Sequence, residues 1–141
     1  MMLNFRPFET SDVMNIELDY ELSGQSRMGL VSHDNIVGYT LSDDDTILAV
    51  GGLHMMWFGV GEAWLLVSPK ALDRPVALAR YSKQLLHGIV EKTQVRRVQA
   101  SVHTHDTRAM VFAEWLGFEH EGIMRKYGLE GDDYFRMARI V

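Results

Sequence analysis

The segment His105-Asp106-Thr107-Arg108-Ala109-Met110-Val111-Phe112-Ala113-Glu114-Trp115-Leu116-Gly117-Phe118 reads as a short amphipathic helix, stopped by glycine and followed at once by a strand. Asp106 suits the N-cap, because its carboxylate accepts the free N–H groups of a first helical turn. Ala109, Phe112, Ala113 and Leu116 fall at helical spacing on one face. Gly117 takes the left-handed conformation that ends a helix, and Phe118 opens the next apolar run.

Around this segment, the 141 residues are sized for one domain, residues 1–141, with a real core. A hydrophobic content of 47% argues for a packed globule. The formal charge of -5 offers no general attraction to nucleic acid or to an anionic membrane, so neither is an expected partner. Cysteine is absent, which excludes disulfides, thiolate metal sites and a cysteine nucleophile, and fits a cytoplasmic protein. Met1 to Arg6 lack the pattern of a signal peptide. No segment approaches the roughly 20 apolar residues of a membrane span.

Periodicity orders the rest. Leu3–Pro7 alternates as a strand. Thr10-Ser11-Asp12 signals a cap, and a helix is expected from there to about Leu22, with Val13, Ile16 and Tyr20 on one side. Ser23–Asn35 reads as a loop, with room for a short helix. Strands follow at Ile36–Leu41, Thr46–Met56 and Glu62–Val67, joined by turns at Ser42–Asp45 and Phe58–Gly61. Gly51-Gly52 predicts a bulge or bend in the third strand. Asp73 is a candidate N-cap and Pro75 suits the first turn of a helix to about Lys92, with Leu78, Tyr81, Leu85, Leu86 and Ile89 inward. Val95–His103 alternates as a fifth strand. After the opening helix, Phe118–Tyr127 and Tyr134–Ile140 form a closing hairpin. The order is β-α-β-β-β-α-β-α-β-β.

This order, with the "A…L-G-F" end of the last helix, resembles the GNAT superfamily of N-acetyltransferases over almost the whole chain. Arg6-Pro7-Phe8-Glu9-Thr10-Ser11-Asp12 is similar to the family's opening, Leu48-Ala49-Val50-Gly51-Gly52 to its third strand and Leu65-Leu66-Val67-Ser68-Pro69 to its fourth. The resemblance implies an α/β fold: a mixed, mostly antiparallel sheet with flanking helices, whose fourth and fifth strands splay apart. It implies acetyl-CoA as the acyl donor and a small-molecule or protein amine as the acceptor. Leu65 and Val67 would face the pantetheine arm, and backbone groups near Leu66 and Val67 would polarise the thioester carbonyl. Arg74, Val76 and Ala77 would meet the pyrophosphate at a helix N-terminus. Asp106 falls where the family often has asparagine.

The phosphate loop departs from the family's Q/R-x-x-G-x-G/A pattern. Leu72-Asp73-Arg74-Pro75-Val76-Ala77 matches it only at Ala77. Pro75 removes an N–H donor, and Asp73 places a negative charge near the phosphates, with Lys70 and Arg74 available to offset it. Ala113 stands where many members carry a tyrosine that protonates the leaving thiolate. Glu62, at the mouth end of the fourth strand, is the candidate general base. His103 is a secondary candidate as a proton shuttle, and Tyr127, like Tyr134, as an acid from the closing hairpin.

Other features carry plainer readings. Six histidines show no H-E-x-x-H or comparable spacing, so no metal site is expected. Arg96-Arg97, with Lys92 and Arg108, is either a solvated cluster or a seat for a phosphate of CoA. Met55-Met56-Trp57-Phe58 is either core or a partner surface, and a homodimer stands among the expected assemblies. Short pieces (Leu48–Gly52, Trp64–Ser68 and Phe118–Glu121) are also similar to small GNAT-like proteins of T7-type tailed phages. They imply the alternative of a phage-related, catalytically degenerate GNAT scaffold acting through protein contacts.

Overall fold

A computed structural model describes residues 2–19, 27, 29, 31 and 36–141. Among the described residues seven strands form one sheet: β1 (Leu3–Pro7), β2 (Ile36–Asp43), β3 (Thr46–Trp57), β4 (Val60–Val67), β5 (Arg97–His103), β6 (Glu119–Met124) and β7 (Tyr134–Ile140). Among the described residues the continuous helices are α1 (Thr10–Asn15), α2 (Pro75–Thr93) and α3 (Thr107–Trp115), with a 3-10 turn at Pro69–Asp73 before α2. The spatial order is β1-β2-β3-β4-β5-β7-β6. Every neighbouring pair is antiparallel except β4 with β5. Among the described residues the strands and the helices α1 to α3 follow the expected order.

Apolar faces explain the layering. Tyr81, Leu85, Leu86 and Ile89 of α2 pack with Leu53, Val98, Val102, Phe118 and Met137 in the larger core, against which Ala109, Ala113 and Leu116 of α3 also lie. On the opposite face Val13 and Ile16 pack with Val50 and Leu66 in a smaller core bordered by Phe8 and Trp64. The α3 ends are built as the residue types imply. Asp106 Oδ1 accepts the Ala109 N–H at 3.0 Å. Gly117 adopts φ 94°, where a side chain would strain the backbone.

Three expectations are corrected. Helix α1 stops at Asn15 rather than near Leu22, with Ile16 already extended. The Arg27 guanidinium donates to the carbonyls of Val13 (3.1 Å) and Ile16 (2.7 Å), giving these C-terminal acceptors a partner from outside the helix. Tyr20–Leu22 and most of Ser23–Asn35 lie outside the described residues; Arg27, Gly29 and Val31 are helical. The N-cap of α2 is Arg74, not Asp73, because Asp73 closes the 3-10 turn. Gly51-Gly52 makes no bulge: the register shifts lie at Leu41/Ser42 and Met55/Trp57. These glycines supply room instead. A Cβ on Gly51 would meet Leu85 Cδ2 at 2.6 Å, and one on Gly52 would meet Trp64 Cζ2 at 2.8 Å. The sheet is thus thinned where α2 presses from one side and an indole lies on the other.

Candidate active site at the parting of two strands

Strands β4 and β5 pair over only three positions, Val60↔Arg97, Gly61↔Val98 and Glu62↔Gln99. Both continue, to Val67 and His103, but β4 stays with β3 while β5 stays with β7. A gap opens between them beyond Glu62.

The polar edge of β4 in this gap follows from strand alternation. The Gly59 carbonyl accepts N–H groups of Arg96 (2.8 Å) and Arg97 (3.1 Å), so its backbone is turned toward β5. The Ser68 N–H reaches the Leu48 carbonyl at 2.8 Å, so its backbone is turned toward β3. Odd-numbered residues of β4 therefore present N–H and C=O groups to the β5 side, and those of Leu65 and Val67 look into the gap. Leu66 looks toward β3. Of the two backbone groups expected to polarise a carbonyl, Val67 is the one on the gap edge.

Glu62 sits at the vertex. Its carboxylate receives Arg136 Nη1 of β7 at 2.8 and 2.7 Å, with the two side chains only 23% and 20% exposed. Arg136 Nη2 also reaches Met124 Sδ at 3.4 Å. Beside this pair, Arg97 binds Glu121 through two hydrogen bonds. That contact holds the Glu121 carboxyl below its ordinary range and the Arg97 guanidinium above its own. Arg97 Nε also donates to Gln99 Oε1 at 3.0 Å. The vertex thus carries two carboxylates and two guanidiniums, paired with one another.

His103 and Tyr127 belong to a different cluster. His103 lies four residues past Gln99, roughly 13 Å along the strand. The His105 N–H donates to its Nδ1 at 3.0 Å. Its Nε2 faces Asp132 Oδ2 at 3.2 Å. Both ring nitrogens are engaged, which weighs against a free proton shuttle. The ring lies edge-on to Tyr134 at 5.2 Å, and Tyr134 edge-on to Tyr127 at 5.4 Å. His103 and Tyr127 are brought together; Glu62 is not with them.

The phosphate loop is occupied by the 3-10 turn. Ser68 caps it, its Oγ accepting the Lys70 N–H at 3.3 Å, and Ala71 is buried beneath. Arg74 is turned to the β2–β3 hairpin, where its Nη1 meets Asp43 Oδ2 at 2.7 Å. The first-turn amides of Val76 and Ala77 have no intrahelical acceptor, as in any helix. Asp106 serves as the cap already described. Among the described residues no cluster of three or more metal-ligating side chains occurs. Met56, Trp57 and Phe58 are exposed and so are not core, whereas Met55 packs against it. A cavity of about 620 Å³ lies between β1, β2 and the start of α2, lined among others by Phe5, Leu41, Arg74, Val76, Ala77 and Tyr81.

Neither a family model nor a curated protein matches the sequence. Solved structures do. A variant of the spermidine N-acetyltransferase of Vibrio cholerae superposes with a TM-score of 0.75 at 15% identity, covering 98% of this chain and 93% of its own. The ribosomal-protein-S18-alanine N-acetyltransferase of Escherichia coli gives 0.75 at 19%, covering 99% and 94%. The ribosomal-protein-S5-alanine acetyltransferase of Vibrio fischeri gives 0.77 at 14%, covering 99% and 93%. The chain has the GNAT fold. Within that fold the parted strands are the expected splay. Two residues at the gap were not foreseen from the sequence: Arg136, and Ser101 of β5. Strand alternation on β5 and β7 placed both on the Glu62 face, which was the available signal. No helix among the described residues is long and apolar enough to cross a membrane.

Proposed function

We propose that this chain is an N-acyltransferase that moves an acetyl group from acetyl-CoA to an amine by direct attack. The observation that carries the reading is the gap itself: a free backbone edge at Leu65 and Val67, with Glu62 at its vertex. An extended, amide-bearing arm suits that edge, because it can pair with it as a further strand would. The first-turn amides of Val76 and Ala77 suit a pyrophosphate. Arg74 does not join them, since Asp43 holds it elsewhere.

In the reaction the amine nitrogen bonds the acyl carbon, the carbon–sulfur bond breaks, and Glu62 takes the amine proton directly or through water. Arg136 keeps Glu62 oriented toward the vertex. The Val67 backbone N–H is placed to stabilise charge on the acyl oxygen. Small-molecule and protein amines are both acceptor classes for this reading, as the spermidine and ribosomal-protein enzymes of the same fold illustrate.

A scaffold acting through protein contacts is the second reading, favoured by Pro75, the withdrawn Arg74, Ala113 and the exposed Trp57 and Phe58. Thiol release from acetyl-CoA in the presence of a panel of polyamines, amino acids and peptide N-termini separates the two. The enzyme reading expects amine-dependent release with at least one class; release no faster than in protein-free buffer for every class supports the scaffold.

A further inference from the structure

Polar side chains on the Glu62 face of β5 are Arg97, Gln99, Ser101 and His103, every second residue of the strand. Arg97 is bound by Glu121, Gln99 by Arg97 and Met56, and His103 by His105 and Asp132. Ser101 differs. Its Oγ is buried and has no hydrogen-bond partner among the described residues. Native proteins rarely leave such a group unmatched, and an exception calls for an explanation. Among the described residues one other buried side-chain polar atom shares this condition, Trp64 Nε1. The Trp64 ring lies over Gly52 of β3, on the side away from β5.

Position gives the Ser101 orphan its meaning. Ser101 is two residues past Gln99, the last residue of β5 paired with β4, so it stands on the lip of the gap. Its partner across β7 is Arg136, which holds Glu62. The opposite lip carries the backbone groups of Leu65 and Val67. A thioester lying between the lips, with its carbonyl oxygen toward β4, turns its sulfur toward β5. The helix α3 position that could have served the sulfur is Ala113, packed against the core without a polar atom in its side chain.

We propose that the Ser101 hydroxyl is the donor that receives the departing thiolate, a role that rests on the acyltransfer reading above. As the nitrogen–carbon bond forms, Glu62 accepts the proton lost by nitrogen. The sulfur leaves with the electron pair of the carbon–sulfur bond and accepts a charge-assisted hydrogen bond from Ser101 Oγ–H. The thiolate then takes its proton from water, and Ser101 keeps its own. The buried hydroxyl is thereby matched only while sulfur occupies the gap.

Free CoA as a probe, with acetyl transfer measured alongside, tests this. In the wild-type complex the CoA thiol, followed by thiolate ultraviolet absorbance against pH, is expected to be more acidic than in solution. Ser101→Ala should make the bound thiol about tenfold less acidic and lower kcat roughly 10- to 100-fold, the range for a hydrogen bond to a charged group. Acetyl-CoA affinity should stay within about twofold, and the melting temperature should hold or rise, since an unmatched hydroxyl has been removed. Ser101→Thr, which retains the hydroxyl, should recover most of the rate. Equal thiol acidity and equal kcat in wild type and Ser101→Ala would overturn the role of Ser101 while leaving acyltransfer standing. Failure of wild-type protein to bind CoA in calorimetry would overturn both.

Discussion

Glu62→Gln is expected to lower amine acetylation by about 100-fold or more, the lower range for loss of a general base. The substitution preserves shape and leaves one oxygen to accept from Arg136 Nη1, which now donates to both carboxylate oxygens. Loss of proton acceptance is then separated from loss of fold. Acetyl-CoA affinity should barely change, because the proposed binding edge runs through Leu65 and Val67 rather than through this side chain. The residual rate of the variant should climb more steeply with pH than that of wild type, since solution then supplies the deprotonated amine. Steady-state kinetics across pH with a responsive amine makes the comparison. Turnover within about twofold of wild type would remove Glu62 from the mechanism.

The second large effect is on stability and is centred on Asp12. Its carboxylate accepts Arg6 Nη1 (2.8 Å) and Nη2 (2.9 Å), the Glu9 N–H (2.8 Å) and Thr40 Oγ1 (2.8 Å), with its side chain 5% exposed. This one group ties β1, the start of α1 and β2 together. Asp12→Ala leaves Arg6 and Thr40 without their partner and should cost about 3 kcal/mol or more. For a chain of this size that lowers the melting temperature by about 10 °C. Burial alone would raise the Asp12 pKa, but the hydrogen bonds from Arg6, Glu9 and Thr40 outweigh it, so the folded value lies below the ordinary one. The unfolded chain therefore binds this proton more readily. The stabilisation is present above about pH 4, the ordinary carboxylate pKa, and is lost as pH falls through the lower folded value. Urea unfolding from pH 7 down to pH 3 should show wild type losing more stability than Asp12→Asn over that acid interval. Equal losses would show that Asp12 does not govern the acid limb. Because Val13 and Ile16 of α1 pack under Trp64 and Leu66, this anchor also supports the face on which Glu62 opens.

Short-range signals made most of the fold readable. The Asp106 cap, the Gly117 stop and the alternation of Val98, Ala100 and Val102 are local chemistry, and each element they announce is present. What escaped reading depends on distant partners. Helix α1 ends where Arg27 meets its carbonyls, although its apolar spacing continues through Ile16. Gly51 is small because Leu85 presses on it from α2, so its neighbourhood looks like a bend only in isolation. At the site, Glu62 was visible as a carboxylate near a turn, but Arg136 lies 74 residues away and pairs with it only once β7 joins β5. Arg74 sits beside the helix start, where sequence alone suggests a phosphate ligand; Asp43, from another hairpin, claims it. The exposure of Trp57 and Phe58 at the β3–β4 turn could not follow from an apolar run alone, which reads equally as core.

Acetyl-CoA binding is the point on which the account turns, because the free β4 edge beyond Glu62 is the feature that carries the proposed chemistry. Isothermal titration of the wild-type chain with acetyl-CoA tests it most directly. Saturable heat with one site per chain is expected, weakened when Val76→Pro removes a further first-turn N–H from α2. No heat with millimolar acetyl-CoA would contradict it.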